Sequence, residues 1–180
     1  MDTLTAIDTL RTVRRFAPDP LAADEIRGIL DAGRRAGSSK NLQRWDFIVV
    51  ADRARLEALG AVGDHAGHLR GAAVAVALVT PDPRADGAPL SIVFDIGRAA
   101  ENMVLAAWAR GIGSCPATVY DQALARGLLG YPESHHCEYI LSFGRPADAE
   151  VLTRANRAGG RMSLDSMVHA ERWQAPRAIP

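Results

Sequence analysis

Several things are scarce in this sequence, and each scarcity removes a class of protein. Cys115 and Cys137 are its only cysteines, too few to staple a small secreted domain. Residues 1–10 carry Asp2 and Asp8 and no basic residue, so the basic start and apolar core of a secretory leader are missing. Two thiols without a leader read as reduced, which predicts a cytoplasmic protein. Neither sign of charge is in excess, with 21 Lys and Arg against 21 Asp and Glu. Binding to nucleic acid by phosphate neutralisation normally needs a basic surplus, so no nucleic-acid partner is expected. The purest apolar run, residues 72–79, falls far short of the roughly 20 residues that span a bilayer, and no membrane partner is expected. Internal repeats and low-complexity blocks are also missing. What remains is 180 residues of which 48% are apolar, enough for one domain with its own core.

Apolar periodicity then divides the chain. A first helix begins near Thr3 with Leu4, Ile7 and Leu10 on one stripe and runs into a basic segment, residues 11–16. A second covers residues 22–36, with Asp24 and Glu25 in its first turn, Arg34 and Arg35 in its last, and Gly37 as C-cap. Strands are expected at residues 47–51, 72–80 and 137–143, the middle one apolar throughout and so buried on both faces. A short helix fits residues 53–59, and another starts after Asp121 and ends at Leu129. The longest helix, residues 91–110, is apolar nearly all round, which places it in the middle of something. The mixture lacks strict alternation and predicts an α+β fold: a central mixed sheet packed by helices around a long buried helix. Residues 1–180 form a single domain in this reading. Residues 145–180 are an arginine-bearing extension that must pack somewhere to be ordered, and a partner subunit is a reasonable surface.

Three segments carry polar groups suited to a ligand. Arg11, Arg14 and Arg15 crowd the end of the first helix, and a spacing of three sets Arg11 and Arg14 on one face if that helix continues. Guanidinium forks match phosphate oxygens, although a solvated basic turn has the same composition. The loop Ser38-Ser39-Lys40-Asn41-Leu42-Gln43 supplies hydroxyls and amides that suit a polar heterocycle or, equally, the loop's own backbone. Arg154, Arg157 and Arg161 flank Gly159-Gly160 in the tail, where a solvated basic stretch is the plain alternative. Gly111-Ile112-Gly113-Ser114-Cys115-Pro116 is rejected as a dinucleotide turn because it follows a helix rather than a strand. His65 and His68 beside Asp64 lack a third ligand at a recognisable spacing, so they read as solvated or core histidines and no metal is expected. Cys115 has no identifiable base and reads as a buried thiol.

In order and spacing these segments resemble the nitroreductase family of FMN enzymes. Arg11-Thr12-Val13-Arg14-Arg15-Phe16 is similar to the opening motif Arg-Arg-Ser-x-Arg-x-Phe, and residues 37–47 to Pro-Ser-x-x-Asn-x-Gln-Pro-Trp-x-Phe. Asp95-Ile96-Gly97 through Ala100-Glu101-Asn102-Met103 is similar to the central-helix motif. Leu129-Gly130-Tyr131-Pro132, Gly144-Arg145-Pro146-Ala147 and Arg161-Met162-Ser163-Leu164 continue the pattern, so the likeness spans essentially the whole chain. The resemblance implies an intertwined homodimer with FMN in the interface. It implies that Arg11, Thr12 and Arg14, with Arg161 from the tail, bind the FMN phosphate. Ser38, Ser39, Asn41 and Gln43 would line the flavin, and Thr118 and Val119 would lie by its N5, chiefly through their backbone. The implied reaction passes hydride from NAD(P)H through FMN to a small oxidant such as a nitroaromatic or quinone, with ping-pong kinetics and no catalytic side chain. Leu10, Arg44 and Val119 depart from the motifs, Val119 where many relatives have glycine. A relative that consumes its flavin or serves one dedicated oxidation, or a non-catalytic flavin-binding dimer, therefore stays open.

Overall fold

A computed structural model describes residues 1–154 and 160–173 of the chain. Helix α1 (Thr3–Thr9) is capped by Asp2, whose carboxylate accepts from Thr5 N at 3.1 Å. It stops at Leu10, and the expected continuation into the arginines does not occur: residues 11–16 run extended. Helix α2 (Ala23–Arg34) has no polar cap, but Glu25 reaches back to accept from Ala22 N at 3.0 Å. Strand β1 (Asp46–Val50), helix α3 (Arg53–Leu59) and strand β2 (Val74–Pro81) follow near their predicted places. Then come the long helix α4 (Ser91–Trp108), strand β3 (Gly113–Thr118), helix α5 (Gln122–Leu129) and strand β4 (His135–Gly144).

The four strands lie in the order β1-β2-β4-β3, and every neighbouring pair is antiparallel. The α+β class is as expected, but among the described strands the sheet is antiparallel rather than mixed. Its parallel element is one isolated bridge, Thr12 to Ser114. Strand β3 escapes a reading by periodicity because Gly113 and Pro116 look like loop punctuation. The edge position explains the proline: Ser114 turns its carbonyl away from β4 to accept from Val13 N at 2.9 Å. Two residues on, Pro116 has the same orientation, so its missing N–H falls on the outer edge of the sheet.

Alternation along β2 builds a core on each face. Ala75, Ala77 and Val79 join Leu56, Leu59, Leu69, Val119, Ala125 and Ile140 beneath α3 and α5. Val74, Val76 and Leu78 join Ile29, Met103, Ala107, Leu141 and Phe143 beneath α2 and α4. The strand is therefore buried on both faces, as its unbroken apolar run predicts. A third cluster, Ala6, Val13 and Trp108, fixes the N-terminal segment, and Trp108 Nε1 donates to Thr9 Oγ1 at 2.9 Å.

Helix α4 departs from its predicted surroundings. Ile92, Asp95, Ala99, Met103, Ala107 and Trp108 are buried, but Val93 and Phe94 on the opposite face are 58% and 68% exposed. Among the described residues, protein covers one side of this helix. The tail behaves likewise: Met162, Leu164, Met167, Val168 and Trp173 are all exposed.

Helices α2 and α4 approach closely because position 33 has no side chain. A Cβ there would lie 2.2 Å from Met103 Cε and 2.8 Å from its Cγ. Gly33→Ala is expected to destabilise the fold by about 1–3 kcal/mol, read as a lowered urea midpoint at unchanged slope. An unchanged midpoint would show that this packing is looser than described.

Candidate functional site

The site is built on the free edge of β3. The extended segment at residues 11–16 lies along that edge, so its side chains alternate rather than follow a helical face. Val13 packs into the core; Thr12 and Arg14 point the other way. Arg11 is thus separated from Arg14, and its guanidinium donates to the Arg154 carbonyl instead. The same period governs β3 and its continuation. Ala117 and Val119 enter the core, whereas Pro116, Thr118 and Tyr120 face a cleft of about 740 Å³ that is also lined by Arg14, Asp64, His65, Gly67 and His68. That volume lies within the roughly 300–1,000 Å³ typical of small-molecule and cofactor sites.

Two backbone contacts hold the far wall. Tyr120 N and Asp121 N both donate to Val62 O at 2.9 Å, tying the end of β3 to the segment that carries residues 64–68. Gly63 permits the approach, since a Cβ there would lie 2.4 Å from Thr118 O. His68 is then buried behind the cleft. Its Nδ1 lies 2.8 Å from Ser142 Oγ, which itself donates to Cys115 O at 3.1 Å. The Ser142 hydroxyl thus joins the His68 ring to the backbone of β3. Nε2 is buried and, among the described residues, has no partner at hydrogen-bond geometry. Burial pushes the His68 pKa down, and the Arg14 charge acts in the same direction against an opposing influence of the Pro116 carbonyl. The ring is accordingly neutral at physiological pH.

The polar loop is organised by α4. Asp95, buried within an otherwise apolar stripe, accepts from Ser39 N at 2.8 Å. Ser38 Oγ accepts from Gln43 N at 3.0 Å, and Gln43 Nε2 donates to both Asn41 O and Asn41 Oδ1 at 3.2 Å. Lys40, Asn41 and Gln43 have φ of 52°, 55° and 47°. Three side-chain-bearing residues in left-handed conformation cost on the order of 1–3 kcal/mol each, and such strain gathers where geometry serves a ligand.

The predicted residues therefore fall into separate groups. Arg14 and Thr118 share the large cleft. Thr12 and Arg14 also line an adjoining hollow of about 190 Å³ with Arg15, Pro146 and Asp148. Gln43 borders a different hollow, of about 530 Å³, with Trp45, Phe47, Arg27 and Arg34. Ser38, Ser39 and Asn41 line none of the described clefts. Val119 does not narrow the cleft: its side chain is in the core and its N–H donates to Glu138 O at 2.9 Å. Arg161 is exposed, Arg154 is paired with Asp148 at 2.8 Å, and Arg157 and Gly159 lie outside the described residues. Sequence reasoning quotes Asp95 within a motif without giving it a role and reads His68 as a solvated or core histidine; the structure buries both. Asp95 had a signal, a lone carboxylate in register with Ile92, Ala99 and Met103. Nothing in the sequence chooses between the two readings of His68. Among the described residues no cluster could hold a metal.

Neither thiol is built for nucleophilic chemistry. Burial pushes Cys137 up to about 12, and it raises Cys115 despite the Arg14 charge nearby. Native protein at pH 8 is expected to show no reaction with a disulfide reagent and two equivalents once denatured. Rapid reaction of the native form would contradict this packing. Asp95→Ala is expected to leave Ser39 N unpaired and speed tryptic cleavage after Lys40, while Asp95→Asn, which keeps an acceptor oxygen, cleaves near the native rate.

The comparisons point one way. The profile of the nitroreductase family matches residues 7–67 and 63–145. A protein of Archaeoglobus fulgidus, given there as a candidate NADH dehydrogenase/NAD(P)H nitroreductase, is 33% identical over 94% of this chain and 98% of its own. The NADPH-flavin oxidoreductase of Vibrio harveyi is 27% identical over 81% of this chain and 66% of its own. Among solved structures, an FMN-dependent nitroreductase of Clostridium difficile superposes with a TM-score of 0.81 at 23% identity, covering 95% of this chain and all of that one (100%). The Vibrio harveyi NADPH:FMN oxidoreductase in complex with NAD+ gives 0.84 at 24% identity, covering 97% and 79%. At these identities the two structural likenesses are likenesses of fold.

Proposed function

The chain belongs to the nitroreductase family, and from that premise we propose that it is an FMN-dependent NAD(P)H oxidoreductase whose flavin lies in the cleft beside β3. The observation that carries this reading is the meeting of Arg14 and Thr118, drawn from two segments about a hundred residues apart that the family resemblance assigns to the flavin, in one cleft. The donor set fits such a group. A guanidinium, a threonine hydroxyl and two imidazoles line one cleft, which suits a ring system with both carbonyl and N–H edges. Bound there, FMN would supply the redox chemistry, taking hydride from NAD(P)H and passing it to a small oxidant such as a nitroaromatic or quinone in a ping-pong cycle.

The protein's own share is binding, orientation and exclusion of water. Because the extended segment directs Arg11 and Arg14 apart, we assign Arg14 to the carbonyl edge of the ring. The phosphate then falls to Thr12 and Arg11, with Arg161 from the tail. Thr118 would sit over the ring's central portion, and Val119, committed to the core, would act only by holding Thr118 in place.

A homodimer completes the site in this proposal. Groups left bare in one chain lie where a partner is needed: Val93 and Phe94 on α4, and an apolar groove of about 700 Å³ between α4 and the sheet. Pro116 lines both that groove and the large cleft, so a subunit seated on α4 would bring its own loop, with Ser38, Ser39, Asn41 and Gln43, towards the flavin. The exposed apolar tail residues would pack on the partner in turn. Among the described residues no helix is long and apolar enough to cross a membrane, and the two unpaired cysteines support a reducing cytoplasm.

Purified protein is expected to be yellow and dimeric, to bleach when mixed anaerobically with NADH or NADPH, and to give parallel double-reciprocal lines with a quinone. Arg14→Ala is expected to weaken FMN binding about tenfold to a hundredfold, the worth of a hydrogen bond to a charged donor. Protein that stays colourless with added FMN would overturn the proposal, as would intersecting lines from a ternary complex.

A further inference from the structure

We propose that Gln122 is a positioning residue for the flavin cleft: its side-chain amide holds the carbonyl of Val119 and thereby sets Thr118 and Tyr120 at the cleft wall. This rests on the flavin site proposed above and concerns what keeps that site in shape. Strand β3 ends at Thr118, so residues 118–121 leave the sheet just where they line the cleft. Main-chain hydrogen bonds anchor them, from Val119 N to Glu138 O and from Tyr120 N and Asp121 N to Val62 O, each at 2.9 Å. Those bonds call for no particular side chain. One further anchor does: Gln122 Nε2 donates to Val119 O at 3.0 Å. Among the described residues no other side chain bonds to the main chain of residues 118–121.

The amide is itself fixed on both ends. Nε2 also donates to Cys137 O at 2.7 Å, while Oε1 accepts from the Tyr131 hydroxyl at 3.0 Å and from Cys137 N at 3.3 Å. Carbonyl oxygens can face only the amide nitrogen, and a main-chain N–H only its oxygen, so a single orientation satisfies every contact. By donating to and accepting from one residue of β4, the amide takes the place of a peptide group where β3 runs out. Its supports are firm, since Tyr131 and Cys137 are both buried. Val119 commits its side chain to the core, and Thr118 and Tyr120 on either side of it face the cleft. Without the amide, Val119 O would turn to water, and the peptide it shares with Tyr120 would be free to rotate.

The full chain, stripped of flavin, is compared with Gln122→Met, which keeps the length and loses the amide. Tyr131→Phe serves beside it, losing the contact to Oε1 but leaving both donor contacts in place. Both variants should lower the urea midpoint. Only Gln122→Met should bind FMN more weakly, by about fivefold to thirtyfold, the cost of re-ordering one residue's main chain on binding. It should also speed deuterium exchange at Tyr120 N and Asp121 N in the flavin-free chain, and at saturating FMN alter the visible circular dichroism of the bound ring. Tyr131→Phe should match the native chain in all three readouts. If Gln122→Met does not fold, Gln122→Glu, which keeps the acceptor contacts and loses the donors, carries the same expectations. Native affinity and dichroism in the Gln122 variant would overturn the inference, as would equal losses in Tyr131→Phe, the mark of a general loosening of α5. A native chain that takes up no FMN overturns the flavin site and the inference with it, an outcome distinct from native and variant chains that bind FMN alike.

Discussion

One backbone contact arranges the rest: the bridge that seats Thr12 and Val13 against Ser114 on the outer edge of β3. It converts the residues after α1 from a potential third helical turn into an extended chain. Period two then replaces period 3.6, and with it the partnership of the arginines changes. Val13 is drawn into the core with Trp108 and Ala6, Arg14 is swung into the cleft, and Arg11 is sent to the start of the tail. The same edge tolerates Pro116 only because its missing N–H faces outward. A sheet edge, ordinarily a liability, is here covered by the segment that carries the site's charge.

A second constraint is the one-sided burial of α4. Its inner face holds the core of α2 and the sheet, and from that face Asp95 reaches the backbone of Ser39. The helix thereby links three functions: packing, the strained loop at residues 38–43, and an apolar outer surface carrying Val93 and Phe94. The loop's left-handed residues would relax without that anchor, so rigid helix and strained loop are best regarded as one device. In the dimer proposed here, each α4 would serve a cleft on the other subunit through this loop.

How much of this was legible in the sequence follows from the range of the interactions involved. Elements set by local caps and apolar period, such as α3, α5 with its Asp121 cap, and the doubly buried β2, could be read almost residue by residue. Strand β3 could not, because its glycine and proline are permitted by an edge position that only the assembled sheet creates. The end of α1 was misread for the same reason: nothing local forbids a helix through Arg14, but the bridge to Ser114, a hundred residues away, does. Arg14 and Thr118 were picked out through their motif, and the structure brings them into one cleft. Arg11, chosen on the same grounds, faces the start of the tail, and Val119 has its side chain in the core. His68, read as a solvated or core histidine, is buried through a contact with Ser142 that no spacing rule reveals.

The central claim is that the flavin sits beside β3 at a seam between two copies of the chain. A crystal structure of the protein grown with FMN tests it most directly. The ring should lie in the cleft between Arg14, His68 and Thr118, with the phosphate near Thr12 and Arg161 and a second chain closing the site over α4. A flavin bound elsewhere, or a cleft left complete by one chain alone, would contradict the account.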